Sequence, residues 1–373
     1  MKKIPREVGE VVAKLRRADF EAYLVGGCVR DFLLGAKPKD WDITTNASPE
    51  EIQKIFSRRE VGTPTKASEP SYDTFYENEY GTVGVKTGSE DETLKVIEVT
   101  PYRLEAKYSD KRHPDEVKFT AKLEDDLKRR DFTINALALD IGPSTYHSGC
   151  ELEIVEGNSV VDFLGVRGIK DLKNKIIRAV GEPEERFKED ALRLMRAVRF
   201  AAELGFKIES KTEEAIQKHS GLLRFISKER IRDEFVKILE SDSPAQGLEL
   251  LRELGLLKEF LPELLEGVGV GQNLHHIYTI WEHNVKSLVC AVKEKWPLDV
   301  RTAALLHDVG KPRAKRGEGK YSTFYGHDVI GAKMTFKILS RLNFPKDFVE
   351  KVTKLVRYHL FYYNVEEVTA SSV

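Results

Sequence analysis

The chain has 373 residues, 41% apolar and 32% charged, with a formal net charge of −1. That length suits two to four domains, and no apolar run approaches the roughly 20 residues of a membrane-spanning helix, so the composition describes a soluble globular protein with no membrane partner. A net charge near zero excludes a generally basic surface, so any nucleic-acid contact has to come from local clusters such as Lys128-Arg129-Arg130 and Arg193, Arg196 and Arg199. Cys28, Cys150 and Cys290 are odd in number and scattered without CxxC spacing, which predicts free thiols and a cytoplasmic setting. Residues 6–18 read as an amphipathic helix packing through Val8, Val11, Val12 and Leu15, with no signal-peptide core.

Tyr23-Leu24-Val25 reads as a buried strand, Gly26-Gly27 as a tight turn, and Cys28 to Leu34 as a helix start with Val29, Phe32 and Leu33 at helical spacing. Free backbone N–H groups at such a turn suit phosphate. Arg30 in the first turn works against the helix dipole and calls for a compensating anion. Next comes Asp40-Trp41-Asp42 and then Ile43-Thr44-Thr45. Strand alternation puts Asp40 and Asp42 on one face, where two carboxylates repel unless a cation lies between them, and oxygen ligands suit Mg2+. A phosphate cradle followed by paired carboxylates reads as nucleotidyl transfer with two metal ions.

Ser48-Pro49-Glu50-Glu51 is a helix start, with Ser as N-cap and Pro at the first helical position. Residues 58–80 read as a loop, and 80–85 and 94–100 as the strands of a hairpin turning at Thr87-Gly88-Ser89-Glu90. Glu98, between Ile97 and Val99, is either a third metal ligand or a solvent-facing residue on a half-exposed sheet. Ser109 to Pro114 reads as a mobile loop. In Lys128-Arg129-Arg130-Asp131-Phe132-Thr133-Ile134-Asn135, the two arginines suit triphosphate oxygens. Asp131 suits a ribose hydroxyl, and Asn135 lies four residues later on the same expected helical face. Val161 to Gly165 and Gly168 to Leu172 read as a strand end, a turn and a short helix.

In Glu189-Asp190-Ala191-Leu192-Arg193-Leu194-Met195-Arg196-Ala197-Val198-Arg199-Phe200, helical spacing stacks Arg193, Arg196 and Arg199 along one side. Asp190 and Arg193, three apart, form an acceptor–donor pair. Such a pair matches the edge that cytosine and adenine share, an amine beside an acceptor nitrogen; the alternative is an ordinary intrahelical ion pair. Residues 229–235, after the Ser227 cap, read as a helix start, and 244–262 read as Leu-rich core helices ending at Pro262. Six of nine histidines follow residue 270. His307 and Asp308, with His283 and His327, form a candidate metal cluster of nitrogen and oxygen ligands, the alternative being a helical tail whose histidines bind nothing. Glu366 to Val373 reads as the beginning of a further helix, as in a longer chain cut at Val373.

Three of these motifs carry a resemblance. GGCVRD with DWDITT, RRDFTINALA and EDALRLMRAVRF resemble the bacterial tRNA nucleotidyltransferase (CCA-adding) and poly(A) polymerase family, and ALLHDVGKP with QNLHHIYTIWEH resembles its HD-type tail. The resemblance implies an α+β fold: a polymerase-β-like head with a mixed sheet (1–145), then an all-α neck (146–205), body (206–268) and HD-type tail (269–373). It implies CTP, ATP and tRNA as partners, and two Mg2+ ions in the head on Asp40 and Asp42, with Glu98 as the third carboxylate. Gly26, Gly27, Arg30, Arg129, Arg130, Asp131, Asn135, Asp190, Arg193, Arg196 and Arg199 fall on nucleotide-binding motifs. Asp110, Arg112 and His113 fall in the loop that helps full CCA enzymes switch from C to A addition. A second divalent metal in the tail, on His283, His307, Asp308 and His327, is a further expectation. Poly(A) polymerases of the family carry a basic–aromatic GRRF-type strand after the head motif; here Tyr80-Gly-Thr-Val-Gly-Val lacks it and resembles the tRNA enzymes. An A-adding or CC-adding specialist, or a non-catalytic RNA-binding or HD phosphohydrolase protein, is the alternative.

Overall fold

The computed structural model describes residues 4–57, 72–77, 81–106, 116–141, 150–155, 158–163, 167–273 and 277–360. The loop carrying Asp110, Arg112 and His113, the pair His275-His276 and the segment 366–373 lie outside them. The chain divides into two compact units, Met1–Asp190 and Ala191–Val373.

The first unit opens with α1 (Arg6–Arg17), whose Val8, Val11, Val12 and Leu15 are buried. β1 (Ala22–Val25), α2 (Gly27–Leu33), β2 (Asp42–Thr45) and α3 (Pro49–Ser57) follow. At α3, Ser48 Oγ accepts from Glu51 N–H and Glu51 Oε2 accepts from Ser48 N–H, the reciprocal cap that Ser-x-x-Glu predicts. β3 (Asp73–Tyr76) lies inside the stretch read as a loop: its four residues are mostly polar and partly exposed, so no apolar alternation marked it. β4 (Val83–Lys86) and β5 (Val96–Pro101) form the expected hairpin. β6 (Arg103–Ala106) and β7 (Glu116–Phe119) pair as a separate ribbon. After them come α4 (Leu123–Lys128), β8 (Ala138–Asp140), β9 (Cys150–Val155), β10 (Asn158–Phe163), α5 (Gly168–Lys173) and α6 (Pro183–Glu189).

The main sheet runs β3-β4-β5-β2-β1-β8-β10-β9, with β2 and β5 parallel and the other neighbouring pairs antiparallel. It is therefore mixed, as expected. One face is closed by Tyr23, Val25, Ala138 and Val161 packing under Leu123 and Leu127 of α4; burying these side chains contributes roughly 1.5–3 kcal/mol for each large one.

The second unit is helical: α7 (Leu192–Leu204), α8 (Ser210–His219), α9 (Lys228–Glu240), α10 (Pro244–Glu253), α11 (Leu257–Phe260), α12 (Pro262–Leu265), α13 (Ile280–Lys293), α14 (Leu298–Leu306), α15 (Lys311–Ala314), α16 (His327–Arg341) and α17 (Lys346–Arg357). Pro262 begins α12 and does not end a helix, because its missing N–H costs nothing at a first helical position. Gly247 lets α10 approach closely, since a Cβ there would come within 2.5 Å of Ile238 Cγ2.

Candidate active site in the head and candidate metal centre in the tail

Asp42 opens β2, opposite Val25 in β1 and opposite Glu98 in β5. Register partners on adjacent strands share a face, so Glu98 stands beside Asp42, which favours the ligand reading over the solvent-facing one. Asp40 is not on the strand: it is exposed in the bend just before it. Its charge still reaches the pair. Burial, then Asp40 and Glu98, push the Asp42 carboxyl up to about 7 against the pull of Arg130. Burial, Glu77 and Asp40 raise Glu98. A carboxylate is raised this way when it is desolvated among like charges, and a divalent cation supplies what the set lacks. On that ground Asp40, Asp42 and Glu98 fit a metal ion.

The turn after β1 requires glycine. Gly26 has φ 79° and ψ −138°, a region closed to side chains, and a Cβ there would lie 3.1 Å from Arg130 Nη1 and 3.4 Å from Asp42 Oδ2. Gly26 is thus the floor between the acidic and the basic halves of the site, with Gly27 opening α2 behind it. Arg30 is buried, and the anion it needs is its neighbour: Nε and Nη2 donate to Asp31 Oδ1 at 2.8 and 2.7 Å. Its Nη1 donates to Asn135 Oδ1 at 2.9 Å, and Asn135 Nδ2 donates to Asp131 Oδ1 at 3.3 Å. Asp131 and Asn135 do meet, though not on a helix. α4 ends at Lys128, and a single 3-10 turn (Thr133–Asn135) leads into β8, whose pairing with β1 and β10 overrides the local helical pattern.

Sequence reasoning missed Asp126. It is fully buried, and its Oδ1 accepts from Arg129 Nε and Nη2 at 3.0 and 2.6 Å while Oδ2 accepts from Arg130 Nη2 at 3.1 Å. Burial would raise its carboxyl, yet the two guanidinium groups hold it below its usual range. Both guanidinium groups thus converge on the one Asp126 carboxylate, and Arg130 Nε is buried without a hydrogen-bond partner. The signal was available: Asp126 precedes the arginines by three and four residues, the spacing at which helical side chains meet.

Gly168 serves close packing, since a Cβ there would lie 2.4 Å from the Thr133 carbonyl. Asp171 of the same helix accepts from Thr133 Oγ1 at 2.7 Å and Arg178 Nε at 2.9 Å. Asp190 closes the first unit in an extended conformation after α6. It shares no helix with Arg193, so intrahelical spacing is not what would pair them. In α7, Arg193 and Arg199 are buried and Arg196 is half-buried. Arg199 Nη1 donates to Glu234 Oε1 of α9 at 3.0 Å, a buried ion pair that braces α7, and its guanidinium lies over Phe200. Arg232 donates to the Asn343 carbonyl and to Asp233.

In the second unit four helix ends converge. A capping box on Thr279 and Glu282 starts α13 and sets His283 in its first turn. His307-Asp308 follow α14, His327 begins α16, and His359 follows α17. Gly310 permits this closure, because a Cβ there would lie 2.3 Å from the His327 carbonyl. Nε2 atoms of His283 and His307 stand 3.4 and 3.3 Å from Asp308 Oδ2, and those of His327 and His359 stand 3.3 and 3.6 Å from Oδ1. The expected four residues are together, and His359 joins them; a lone histidine after an amphipathic helix gave no sequence signal. Lys311 Nζ lies 2.7 Å from Asp308 Oδ2. A cavity of about 350 Å3 opens over the cluster, lined also by Phe324, Tyr325 and Leu360. Asp308 is buried among the four imidazole rings beside the Lys311 ammonium, and this mixed nitrogen and oxygen donor set fits a metal. Among the described residues, triples of ligand atoms all within 4.8 Å of one another occur here and not among the head carboxylates.

A strand–glycine turn–carboxylate strand with paired arginines defines a nucleotidyltransferase-type head, and the helical unit that follows it in sequence carries an HD cluster. The sequence matches the "Poly A polymerase head domain" over residues 22–178, the "Probable RNA and SrmB- binding site of polymerase A" over 205–267 and the "HD domain" over 268–371. The CCA-adding enzyme of Ligilactobacillus salivarius is 44% identical over 254 residues, covering 66% of this chain and 52% of that protein; that of Enterococcus faecalis is 45% identical over 267 residues, covering 71% and 56%. The chain thus spans about half the length of the curated relatives it matches. Among solved structures, the Bacillus stearothermophilus CCA-adding enzyme in complex with CTP aligns at a TM-score of 0.56 and 30% identity, over 96% of this chain and 83% of that one. The Thermotoga maritima CCA-adding enzyme complexed with tRNA shares the fold, at a TM-score of 0.63 and 20% identity over 96% and 71%. The chain belongs to the bacterial CCA-adding enzyme and poly(A) polymerase family. Among the described residues no helix is long and apolar enough to cross a membrane.

Proposed function

We propose that this protein adds C, C and A to the 3′ end of tRNA from CTP and ATP without a template, releasing pyrophosphate at each step. The observation that carries the reading is the head site itself: Asp42 and Glu98 in register beside the Gly26 turn, facing Arg130. In this reading Asp40, Asp42 and Glu98 hold two Mg2+ ions. When bound, these would activate the primer 3′-hydroxyl and stabilise the leaving pyrophosphate. The rest falls to the chain. Gly26 and Gly27 let the triphosphate approach the backbone. Arg130, with its unpartnered Nε, and Arg129 neutralise the triphosphate, and Asp126 keeps both arginines aimed. Arg30 acts from behind the turn through Asn135, and Asp131 takes the ribose. Base choice rests with Asp190 and Arg193, with Arg196 beside them and Arg199 bracing the helix. The two helical regions after the head hold the tRNA through its backbone and shape.

Asp40→Ala and Asp42→Ala should each lower nucleotide addition about 1,000-fold or more, at least about 4 kcal/mol of barrier, while tRNA binding measured by gel shift stays within about twofold. Addition at the wild-type rate in either variant would refute the metal assignment.

A second reading concerns the tail. Its buried Asp308 among four imidazoles favours a divalent-metal phosphohydrolase centre of the HD type over a purely structural tail.

A further inference from the structure

The head site lies on the face of the main sheet whose β1, β8 and β10 half packs under α4. Strand register carries that face beyond the carboxylates. Asp42 pairs with Glu98, Glu98 with Gly84, and Gly84 with Phe75, and register partners on adjacent strands share a face. Phe75, Gly84, Glu98 and Asp42 therefore form one row across β3, β4, β5 and β2, and the row ends at Phe75 because β3 is the edge strand. The Phe75 ring leans inward over Gly84, where a Cβ would lie 2.5 Å from Phe75 Cζ and 2.7 Å from Cε1. The missing side chain of Gly84 is thus what lets the ring lie toward Glu98. The ring is half-buried, and the ammonium of the exposed Lys86 lies 5.4 Å from its centre.

In nucleotidyl transfer the attacking 3′-oxygen and the leaving pyrophosphate lie roughly in line on opposite sides of the α-phosphorus. The positive half of the site is on the β1 side of Asp42: Gly26 stands between Asp42 Oδ2 and Arg130 Nη1, and both arginines follow α4. With the triphosphate held there, the primer end has to reach the metal ions from the other side, over β4 and the edge strand β3. Adjacent strands are about 4.8 Å apart, so a ring over β4 is about 10 Å from β2, a gap that one terminal nucleotide and a metal ion fill. A flat ring with a cation beside it suits a base on its face and a phosphate at its rim. Stacking is tolerant of base identity. Three successive additions need that tolerance, since the end presented changes from the discriminator base to C and again to C.

We propose that Phe75, lying over Gly84 and flanked by Lys86, is the platform on which the 3′-terminal base of the tRNA primer stacks. This rests on the reading of the head as a tRNA-extending site and adds to it the seat of the primer. Lys86 takes the phosphate that precedes the terminal nucleotide. The competing role for the ring is to shield the Gly84 backbone within the sheet, and that role predicts an effect on stability alone.

The test combines variants of the full chain with primer tRNAs ending in C and in CC whose 3′-terminal nucleotide is intact or abasic, and measures kcat/KM for extension with CTP and ATP. In the unaltered chain the abasic ends are expected to be extended about tenfold more slowly or worse. In Phe75→Leu the intact ends should slow by a similar factor, while the abasic penalty shrinks to within about twofold and the KM for the nucleotide stays within about twofold. Phe75→Tyr keeps a ring and should keep both the rate and the penalty. An abasic penalty as large in Phe75→Leu as in the unaltered chain would overturn the inference, whatever that variant does to the melting temperature. So would abasic ends that the unaltered chain extends as fast as intact ones, a result that needs no variant. Either result leaves the tRNA-extending reading standing, whereas failure of the unaltered chain to extend any intact end would overturn that reading and the inference with it.

Discussion

Asp42 in the head and Asp308 in the tail are both carboxylates drawn out of water, and their surroundings are opposite in kind. Asp42 has carboxylates for neighbours and an arginine pulling the other way, so what its site lacks is positive charge. Asp308 already has the Lys311 ammonium beside it, and what surrounds the rest of it is imidazole nitrogen. The head carboxylates are therefore an all-oxygen set of the kind that suits a hard ion, and the tail cluster is a nitrogen-rich set of the kind that suits a borderline metal. Burial alone distinguishes neither; the identity of the neighbours does.

The largest effect that would sharpen this contrast comes from Asp126, the residue that aims the positive half of the head. Asp126→Asn should destabilise the head by about 3–5 kcal/mol, because two arginines lose a fully buried partner. In the folded fraction it should raise the KM for CTP and ATP about tenfold or more with a smaller change in kcat. An unchanged KM would mean that the arginines do not need Asp126 to meet the nucleotide.

A smaller effect reads the charge state of the head directly. The Asp42 carboxyl is pushed up to about 7 in the metal-free fold, against about 4 in an unfolded chain. Between those values the folded state keeps a proton that the unfolded state has lost, so this group's contribution to stability falls as pH rises from about 4 to about 7 and is level above. Metal-free Asp42→Asn should accordingly melt about 2–4 °C above the wild type at pH 8, match it near pH 4, and lose its advantage at pH 8 when Mg2+ is added. A variant that melts lower than the wild type at pH 8 without metal would contradict the repulsion described for the head.

Much of the head was legible because its motifs sit on strong local punctuation. The Gly26-Gly27 turn, the Ser48 cap and the alternation around Glu98 each fix an element whose pairing then places Asp42 and Glu98 together. What failed were inferences that extended a local period across a boundary. Asp40 precedes the strand that was to carry it, Asp131 and Asn135 meet across a 3-10 turn set by the demands of β8, and Asp190 lies between two helices. In the tail, HD and its flanking histidines were readable, whereas His359 is brought in by the packing of α17 against α16 and α14, which no local pattern encodes. Asp126 was readable and overlooked, since a carboxylate three and four residues before two arginines is a signal in itself.

The central claim is best tested by extending three tRNA transcripts, ending at the discriminator base, at C and at CC, with CTP alone, ATP alone and both. The account predicts that all three grow to full CCA when both nucleotides are present, that CTP alone stops at CC, and that ATP alone extends only the CC-ended transcript. Extension of only the CC-ended transcript in every mixture would make this an A-adding specialist, growth that stops at CC with both nucleotides present would make it a CC-adding one, and no extension of any transcript would contradict the account outright.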